Sequence, residues 1–328
     1  MDIEKRSTRF GAAIILFAVA LRLAGLVLPS FAHTLRGAQA PQTPDFTGRG
    51  PQNVLQATQS RPVESVTVPT TQPARLPLRF TPEDLSLVQL RYASDCALRA
   101  DLQQLLLQPL QWQLQAQQPT VLILHSHGTE SYTLAPGESD PGWENYRSLS
   151  LHWNMVAVGD FLAQRLQEQG IGVIHDTRLH DYPSYSQAYT NSRLAMEEYL
   201  QRYPSICMVL DLHRDAALNP DGSQYATSAL VDGRRSAQLM LVMGSSLGDE
   251  MRQWENNLAV ALKLQVLLEK RAPGITRPTV LRAQRFNQDL CPGAMLIEVG
   301  TAGNTLQEAF LAAQILAEAI AALTQGAA

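Results

Sequence analysis

The residues of this sequence best suited to chemistry stand at the ends of three apolar, strand-like runs. The runs are Val121–Leu124, Ile206–Leu212 and Ala294–Ile297. The first run leads to His127 and Glu130, the second to His213, and the third to Glu298. Ligands of an open α/β sheet bind beyond the carboxyl ends of its strands, so the three runs predict one shared site. Two histidines and a glutamate, with a fourth position left for water, form a catalytic zinc set.

Glu298 is the candidate general base of this site. It follows an apolar run and precedes Val299 and Gly300. A buried carboxylate is costly unless it has a partner or binds a proton more tightly than usual. A raised proton affinity suits a base that takes a proton from zinc-bound water, whose pKa the metal brings to about 7. A glutamate that only caps the edge of the sheet is the alternative.

His127 and Glu130 lie three residues apart just after a strand, so both side chains can reach one ion. A hydrogen-bonded loop histidine is the alternative for His127. His125 alternates with His127 and should point to the opposite face, which leaves it as a candidate for supporting a ligand or contacting substrate. The remaining histidines of this region are expected to lie in loops or face solvent; they are His152, His175 and His180.

His213 lies in the segment Asp211-Leu212-His213-Arg214-Asp215. By strand alternation, Asp211 shares a face with His213 and can orient its ring. Arg214 and Asp215 either neutralise an acidic substrate or pair with each other. A surface histidine beside an Arg–Asp pair is the alternative for His213.

Composition excludes several classes of function. The 328 residues are 45% hydrophobic with a formal net charge of −4, and no basic stripe indicates a nucleic-acid partner. The three cysteines form no close pair, so neither a disulfide framework nor a thiolate zinc site is predicted. A phosphate-binding glycine loop is missing from the sequence.

Residues 1–32 are predicted to form a cytoplasmic stub and a transmembrane anchor. An apolar stretch from Phe10 to about Pro29, interrupted only by Arg22, is long enough to span a bilayer as a helix. The basic residues before it are Lys5, Arg6 and Arg9. This flank keeps the amino terminus cytoplasmic, so the rest of the chain is predicted to be extracytoplasmic at the cell membrane. A signal peptide cleaved after residues 38–40, Ala-Gln-Ala, is the alternative.

Three further segments follow. Residues 33–79 are rich in Pro, Gln and Thr, which predicts a disordered linker. Residues 80–118 carry leucines at roughly helical spacing among glutamines, which predicts a helical segment that either packs on the main domain or binds a partner. Residues 119–328 are predicted to form the catalytic domain.

Strands and helices alternate through residues 119–328. The predicted strands are Val121–Leu124, Gly172–His175, Ile206–Leu212, Gln238–Val242 and Ala294–Ile297. The predicted helices are Asn154–Glu168, Ser192–Arg202, Met251–Arg271 and Thr305–Leu323, and the last of them opens with a capping-box sequence. This alternation is typical of an α/β fold with a mainly parallel sheet and helices on both faces.

Several segments together resemble the stage II sporulation protein P family. They are His125–Tyr132, Asn154–Val156, Gly170–Asp176, His180–Tyr185, Asp211–Ala216, Arg285–Leu290, Ala294–Gly300 and Asn304–Leu306. The resemblance covers most of the range from 121 to 323, and an anchor followed by a linker also looks like that family. Ser126 and Gly128 depart from the threonine or asparagine of many members, but neither position needs a side chain to hold a metal.

The resemblance implies a fold similar to zinc-dependent N-acetylmuramoyl-L-alanine amidases, in which helices flank a mixed sheet. It implies cleavage of the amide between the stem peptide and muramic acid, and an endopeptidase activity on peptide crosslinks. It also implies a role in sporulation engulfment and septal wall thinning, with stage II sporulation proteins D and M as partners. Carried over by position, His127, Glu130 and His213 would be the Zn²⁺ ligands and Glu298 the catalytic acid–base residue.

The predicted function is therefore that of a membrane-anchored zinc hydrolase of peptidoglycan. A zinc peptidase acting mainly on crosslinks is one alternative, and a non-catalytic wall-binding scaffold is another. The presence of all four site residues argues against the scaffold, because binding a glycan needs no metal-ligand set with a base beside it.

Overall fold

A computed structural model of the chain describes residues 79–140, 142–245 and 254–323. The predicted membrane anchor at 1–32 lies outside the described residues, and so does the linker at 33–79 except for its last residue. Within the described part, the one helix long and apolar enough to cross a membrane is Leu306–Leu323, and its apolar residues lie in the hydrophobic core.

A seven-stranded sheet organises the described residues. The strands are β1 (Leu90–Tyr92), β2 (Val121–Leu124), β3 (Val173–His175), β4 (Met208–Asp215), β5 (Ser228–Val231), β6 (Arg234–Ala237), β7 (Leu239–Gly244), β8 (Thr279–Arg282) and β9 (Ala294–Thr301). The order across the sheet is β1-β8-β7-β9-β4-β2-β3, and β5 pairs with β6 in a separate hairpin. Every pair in the large sheet is parallel except the antiparallel pair of β7 and β9.

Helices cover both faces of this sheet. They are α1 (Leu102–Leu107), α2 (Met155–Glu168), α3 (Ala188–Arg202), α4 (Trp254–Arg271) and α5 (Leu306–Leu323). Alternate residues of β2 show the division, because Ile123 belongs to the core formed with α2, α4 and α5, whereas Leu124 packs in a smaller cluster with Met196 of α3. The predicted mixed, mainly parallel sheet between two helical layers is confirmed.

Among the described residues, α3 covers only half of the face on which it lies. A third apolar cluster lies beyond α3 on the strands β7, β8 and β9, with Ala93 and Phe286 packed against it; its members are Met240, Val242, Val280 and Leu296. These residues alternate along their strands with residues of the main core, so they belong to the opposite face of the sheet. The half of that face without a described helix begins next to Glu298.

Local sequence signals fix two helix starts. Asn154 caps α2, accepting a hydrogen bond from the amide of Val156 at 3.0 Å. Thr305 and Glu308 form the predicted capping box at the start of α5, with reciprocal side-chain to backbone hydrogen bonds of 3.3 Å. Such caps satisfy amides that have no partner inside the helix.

Residues 80–118 differ from the helical segment predicted for them. They form a short 3-10 helix at Pro82–Leu87 and the helix α1, but they also supply β1, which pairs with β8 at the edge of the sheet. This segment belongs to the same compact unit as residues 119–323. A three-residue edge strand has too short a pattern for hydrophobic alternation to reveal it.

Lys263 is a buried charge that joins α4 to this segment. Its side chain is 2% exposed, and its Nζ donates a hydrogen bond to the carbonyl oxygen of Leu105 at 2.7 Å. The ammonium also lies 5.5 Å from the ring centroid of Phe80. Burial lowers the pKa of Lys263 to about 8.

Replacing Lys263 should change how stability depends on pH. The unfolded lysine has a pKa of about 10.4, so the unfolded chain binds more protons than the folded chain between about pH 8 and about pH 10.4. The free energy of unfolding therefore rises across this window, by on the order of 1 kcal/mol more in the natural chain than in Lys263→Met. Urea denaturation of both proteins at the two ends of the window measures this difference. Parallel pH profiles would contradict the assignment of a lowered pKa.

Candidate metal centre

The pairing of β4 with β9 places two of the predicted site residues side by side. His213 is the register partner of Glu298 across these parallel strands, and the register shifts just beyond this pair. His213 is 4% exposed, and the segment after it leaves the regular ladder. Register partners on adjacent strands share a face of the sheet, so both side chains point to the side that α3 half covers.

The loop after β2 brings the other two predicted residues to the same point. His127 and Glu130 are both buried, and the amide of Glu130 donates to the carbonyl oxygen of His127 at 3.1 Å. The loop is tied to α2, because Met155 donates its amide to the carbonyl oxygen of Glu130 at 2.8 Å. The first turn of a core helix therefore holds the loop in place.

The four predicted residues form one cluster. The rings of His127 and His213 meet edge to face with centroids 5.3 Å apart. His213 Nδ1 lies 3.8 Å from Glu130 Oε2. All four line one hollow of about 360 Å³, together with Arg214 and Asp215. We call this hollow the arginine cleft, because Arg91, Arg277 and Arg282 form its far wall.

Asp211 supports both sides of the cluster. One carboxylate oxygen lies 3.0 Å from His213 Nε2, and the carboxylate accepts the Ser126 amide at 2.7 Å and the Ser126 hydroxyl at 2.6 Å. Burial acts to raise the pKa of Asp211, but His213 and Ser126 outweigh it, so that the pKa is lowered. The same carboxylate thus holds a ring on β4 and the loop that follows β2.

Arg214 ties the loop to β4 from the other side. Its guanidinium donates to the carbonyl oxygens of Ser131 at 2.9 Å and Tyr146 at 2.7 Å, and its amide donates to Glu130 Oε2 at 3.1 Å. Asp215 pairs with Arg277 at 2.8 Å rather than with its neighbour. These contacts indicate a role for Arg214 that differs from the two predicted ones. Arg214 positions Glu130.

His125 points away from the cluster. It is fully buried, with Nε2 2.8 Å from His175 Nε2 and Nδ1 3.2 Å from the Leu212 carbonyl oxygen. His175 in turn contacts Asp160 at 2.8 Å. Burial, then the neighbouring His175, lowers the pKa of His125 to about 3, so it is a neutral ring that joins β2 to β3.

The expectation that His175 lies in a loop or faces solvent was wrong, since it ends β3, whereas His180 does lie in a loop but is buried there. The side chain of His175 is packed against His125, and His180 is 5% exposed with Nε2 3.0 Å from Asp176 Oδ2. His152 is exposed, as expected. A lone histidine in a polar sequence carries no periodic signal, so burial of this kind is invisible until the strands are paired.

Three further site residues were missed by the sequence analysis. Asp181 lies 3.8 Å from His127 Nδ1, accepts the Thr129 hydroxyl at 2.6 Å and pairs with Arg147 at 2.9 Å. Tyr185 stacks on His127 with ring centroids 4.4 Å apart, and Tyr189 contacts the same ring edge to face at 5.5 Å. Asp181 and Tyr185 fall in the turn-rich stretch before α3 and Tyr189 lies in the first turn of α3, where no hydrophobic pattern marks a role.

Glu298 is a half-buried residue whose carboxyl group has one buried, unsatisfied oxygen. Its Oε2 is buried and has no hydrogen-bond partner among the described residues. Burial, opposed by His213 and assisted by Glu130 and Asp215, raises the pKa of Glu298 to about 8. A group with this pKa both takes and returns protons near neutral pH.

The surroundings of His213 favour a positive charge. Burial alone acts to lower the pKa of this ring, but Asp211, Glu130 and Glu298 outweigh burial and raise it to about 10. Several buried carboxylates thus converge on one point. A proton on His213 compensates them in part, and a divalent cation would do so more completely.

The side chains present fit a zinc ion in type and neighbourhood. Among residues 79–140, 142–245 and 254–323, no three His, Cys, Asp or Glu side chains are already closed around an ion position. Buried atoms without a hydrogen-bond partner in this part of the chain nevertheless occur at His127 Nδ1 and Glu298 Oε2, and His213 Nδ1 faces Glu130 Oε2 at 3.8 Å while Asp211 holds the other ring nitrogen. Imidazole nitrogens and carboxylate oxygens are ligands of zinc at about 2.0–2.2 Å. The ligands would have to close in from their present separations.

A second hollow adjoins the cluster on the side of the turn-rich stretch. It has a volume of about 440 Å³, and its lining includes Tyr182, Tyr185, Leu149 and Arg147. We call it the tyrosine pocket. Tyr185 lines both this pocket and the arginine cleft, so the two hollows meet beside His127.

Comparison with known proteins identifies the family of the chain. The family model described as stage II sporulation protein P matches residues 52–321. The chain belongs to the stage II sporulation protein P family. Stage II sporulation protein P of Bacillus subtilis (strain 168) is 30% identical over 210 residues, which are 60% of this chain and 49% of that protein. The chain thus matches about half the length of this curated relative.

Solved structures with a similar fold include amidases. N-acetylmuramoyl-L-alanine amidase AmiC2 of Nostoc punctiforme is 15% identical, with a TM-score of 0.37 over 63% of this chain and 94% of that one. The amidase Ami1 of Mycobacterium smegmatis is 14% identical, with a TM-score of 0.37 over 64% and 96%. The CwlD amidase of Clostridioides difficile, solved with the GerS lipoprotein, is 18% identical, with a TM-score of 0.33 over 63% and 95%. Structural similarity at these TM-scores and identities gives no information about the activity of this chain.

Removing either histidine of the cluster should abolish metal binding. The natural chain, loaded with zinc and dialysed, should retain about one equivalent, whereas His127→Ala and His213→Ala should retain less than roughly a tenth, because a site of three protein ligands does not survive the loss of one. Elemental analysis by mass spectrometry measures the content. His152→Ala removes an exposed histidine and should retain the metal. Equal zinc content in all four proteins would contradict the assignment of ligands.

Neutralising Asp211 should lower the affinity for zinc without removing a ligand. Asp211→Asn keeps the size of the side chain but loses the charge beside His213, and loss of such a supporting carboxylate lowers zinc affinity about 10- to 100-fold. Competition with a fluorescent chelator gives the affinity. Asp160→Asn is the matched control, because Asp160 also contacts a histidine but lies away from the cluster. The assignment fails if both variants lose affinity equally.

Proposed function

We propose that this member of the stage II sporulation protein P family is a zinc-dependent peptidoglycan hydrolase that acts as an N-acetylmuramoyl-L-alanine amidase. The single observation that carries the proposal is the Glu298 carboxyl group beside His213, with a raised pKa and a buried oxygen that has no hydrogen-bond partner among the described residues. Membership of the family supports the sporulation cell wall as the setting.

Each residue of the cluster has a role in amide hydrolysis. His127, Glu130 and His213 would hold the zinc. A bound zinc ion would polarise the scissile carbonyl and acidify the attacking water. Glu298 accepts a proton from the attacking water and returns it to the amine nitrogen that leaves. Its raised pKa suits both steps, because a group that titrates near the working pH is effective as base and then as acid.

The surrounding residues keep this geometry rigid. Asp211 holds His213, Arg214 holds Glu130, and Asp181 lies beside His127. Tyr185 covers one face of the His127 ring and limits the access of water to it. Fixed dipoles and charges of this kind cost no reorganisation when the reaction occurs.

A zinc endopeptidase acting mainly on crosslinks is the second candidate function. The sheet face next to Glu298 favours an extended peptide, because apolar side chains of three adjacent strands line the cleft there and charged groups line its sides. The two activities share the metal and the base. They differ in the group on the carbonyl side of the scissile bond, which is muramic acid for the amidase and an amino acid for the peptidase.

The proposal includes the cellular setting. We place the described domain outside the cell membrane, held by a single N-terminal helix, and we take stage II sporulation proteins D and M as partners in engulfment. The sequence of residues 1–32 and membership of the family support this placement. Peptidoglycan lies outside that membrane, so the substrate and the domain would meet there.

Digestion of purified peptidoglycan by the full-length chain tests the proposed function. With zinc, free stem peptides should be released and identified by mass. Glu298→Gln should lower the rate about 10²- to 10⁴-fold, because it removes the proton acceptor but keeps the size of the side chain. Glu197→Gln, on an exposed surface of α3, should digest at the natural rate.

The products separate the candidate functions. Release of uncrosslinked muropeptides with no free stem peptide would favour the endopeptidase. Digestion that is unaffected by a chelator, or by Glu298→Gln, would contradict the metal and the base. Absence of any product, even with protein D present, would favour a wall-binding scaffold.

A further inference from the structure

The arginine cleft runs from Glu298 across three strands of the uncovered sheet face. Its floor is the row of Leu296, Val242 and Val280, which are register partners on β9, β7 and β8. Apolar side chains in register give a smooth floor along which an extended chain can lie. Glu298 stands at one end of this floor, next to Leu296 on the same face.

Two arginines stand at the other end of the floor. Arg91 on β1 is the register partner of Val280, and Arg282 follows Val280 by two residues on β8. Both therefore lie on the cleft side of the sheet, and both line the cleft. Both residues are exposed, and neither guanidinium has a hydrogen bond or ion pair within the described parts of the chain.

The third arginine of the wall is different. Arg277 is partly buried and pairs with Asp215 at 2.8 Å, so its charge is already compensated. The positive charge of the cleft that has no ion pair within the described residues consequently lies at the rim formed by Arg91 and Arg282, although Asp95 interacts with Arg282 electrostatically. Two exposed guanidinium groups above an apolar floor match a planar anion such as a carboxylate.

The tyrosine pocket lacks the positive charge that Arg91 and Arg282 give to the arginine cleft. In the tyrosine pocket, Arg147 is held by Asp181 at 2.9 Å and approached by Glu130 at 3.8 Å. The exposed rings of Tyr182 and Tyr185 supply its surface. An uncharged ligand with flat apolar faces, such as a sugar ring, suits this pocket better than an anion does.

The length of the floor sets the position of the anion. Arg91 lies three strand spacings from Leu296, about 14 Å at roughly 4.8 Å per spacing, and Glu298 lies two residues, about 7 Å, further along β9, so Arg91 and Glu298 are about 16 Å apart. An extended peptide advances about 3.3–3.6 Å per residue, so a carboxylate about two to four residues beyond the scissile bond reaches the guanidinium groups once the reach of the arginine side chains is subtracted.

We propose that Arg91 and Arg282 form a carboxylate-binding rim that selects an acidic stem peptide and orients it along the arginine cleft. The peptide then occupies the cleft and the sugar occupies the tyrosine pocket, with the scissile amide between them at Glu298. This assignment rests on the proposed function for the identity of the substrate, but the rim can be tested by binding alone.

The test measures peptide binding in the absence of turnover. The probe is a synthetic muramoyl tripeptide with free carboxylates, compared with the same compound after amidation of those carboxylates. Titration calorimetry on the full-length Glu298→Gln protein should show tighter binding of the free acid. Adding Arg91→Gln and Arg282→Gln should weaken binding of the acid about tenfold and abolish the preference over the amide, since charge-assisted hydrogen bonds to two guanidinium groups are lost. Added salt should weaken acid binding only while the arginines are present.

A matched control and a second readout make the result specific. Arg234→Gln removes another exposed arginine, on β6 outside the cleft, and should leave the preference intact. In the protein that retains Glu298, the double variant should raise KM for the acid about tenfold, with the larger effect on KM than on kcat.

The outcomes separate this inference from the proposed function. Equal binding of acid and amide by the natural rim, or an equal loss for both in the double variant, overturns the rim even if the chain digests peptidoglycan. Binding that prefers the acid through these arginines, in a chain that shows no hydrolysis, supports the rim and contradicts the proposed function.

Discussion

The site depends on the register between β4 and β9. This pairing sets His213 beside Glu298, whose Oε2 is buried without a hydrogen-bond partner among the described residues. A shift of β4 by one residue would send His213 to the opposite face, into the apolar core formed with α2, α4 and α5, and would separate it from Glu298. The core that fixes this register therefore also fixes the spacing between the candidate base and a candidate ligand.

Charged side chains that have no direct part in the proposed reaction hold this arrangement together. Asp211 links β4 to the loop that follows β2. Arg214, also on β4, donates hydrogen bonds to the carbonyl oxygens of Ser131 and Tyr146. Buried charges are expensive, and these are compensated by pairing and by several hydrogen bonds each. They fix the positions of loop residues, which would otherwise vary, relative to the sheet.

Much of the fold could be predicted because long apolar patterns in the sequence mark its strands and helices. The strands that carry the candidate site, and α2, α4 and α5, follow from apolar runs and from caps such as Asn154 and Thr305. The strands β1 and β8 and the hairpin of β5 and β6 could not, because three or four residues at an edge give no clear alternation. Partners from the turn-rich stretch were missed for a related reason. Asp181 and Tyr185 meet His127 only through tertiary folding, and nothing in their local sequence distinguishes them from ordinary turn residues.

Tyr185 gives the two hollows a common wall. Its ring stacks on His127 and lines both the tyrosine pocket and the arginine cleft. Any ligand that tilts this ring while filling one hollow alters the shape of the other, so the free energies of occupying the two are not independent. The coupling is reciprocal by thermodynamic necessity, and its sign depends on whether one ring position suits both ligands. A single aromatic side chain can thus make the affinity of each half of a molecule depend on the presence of the other half.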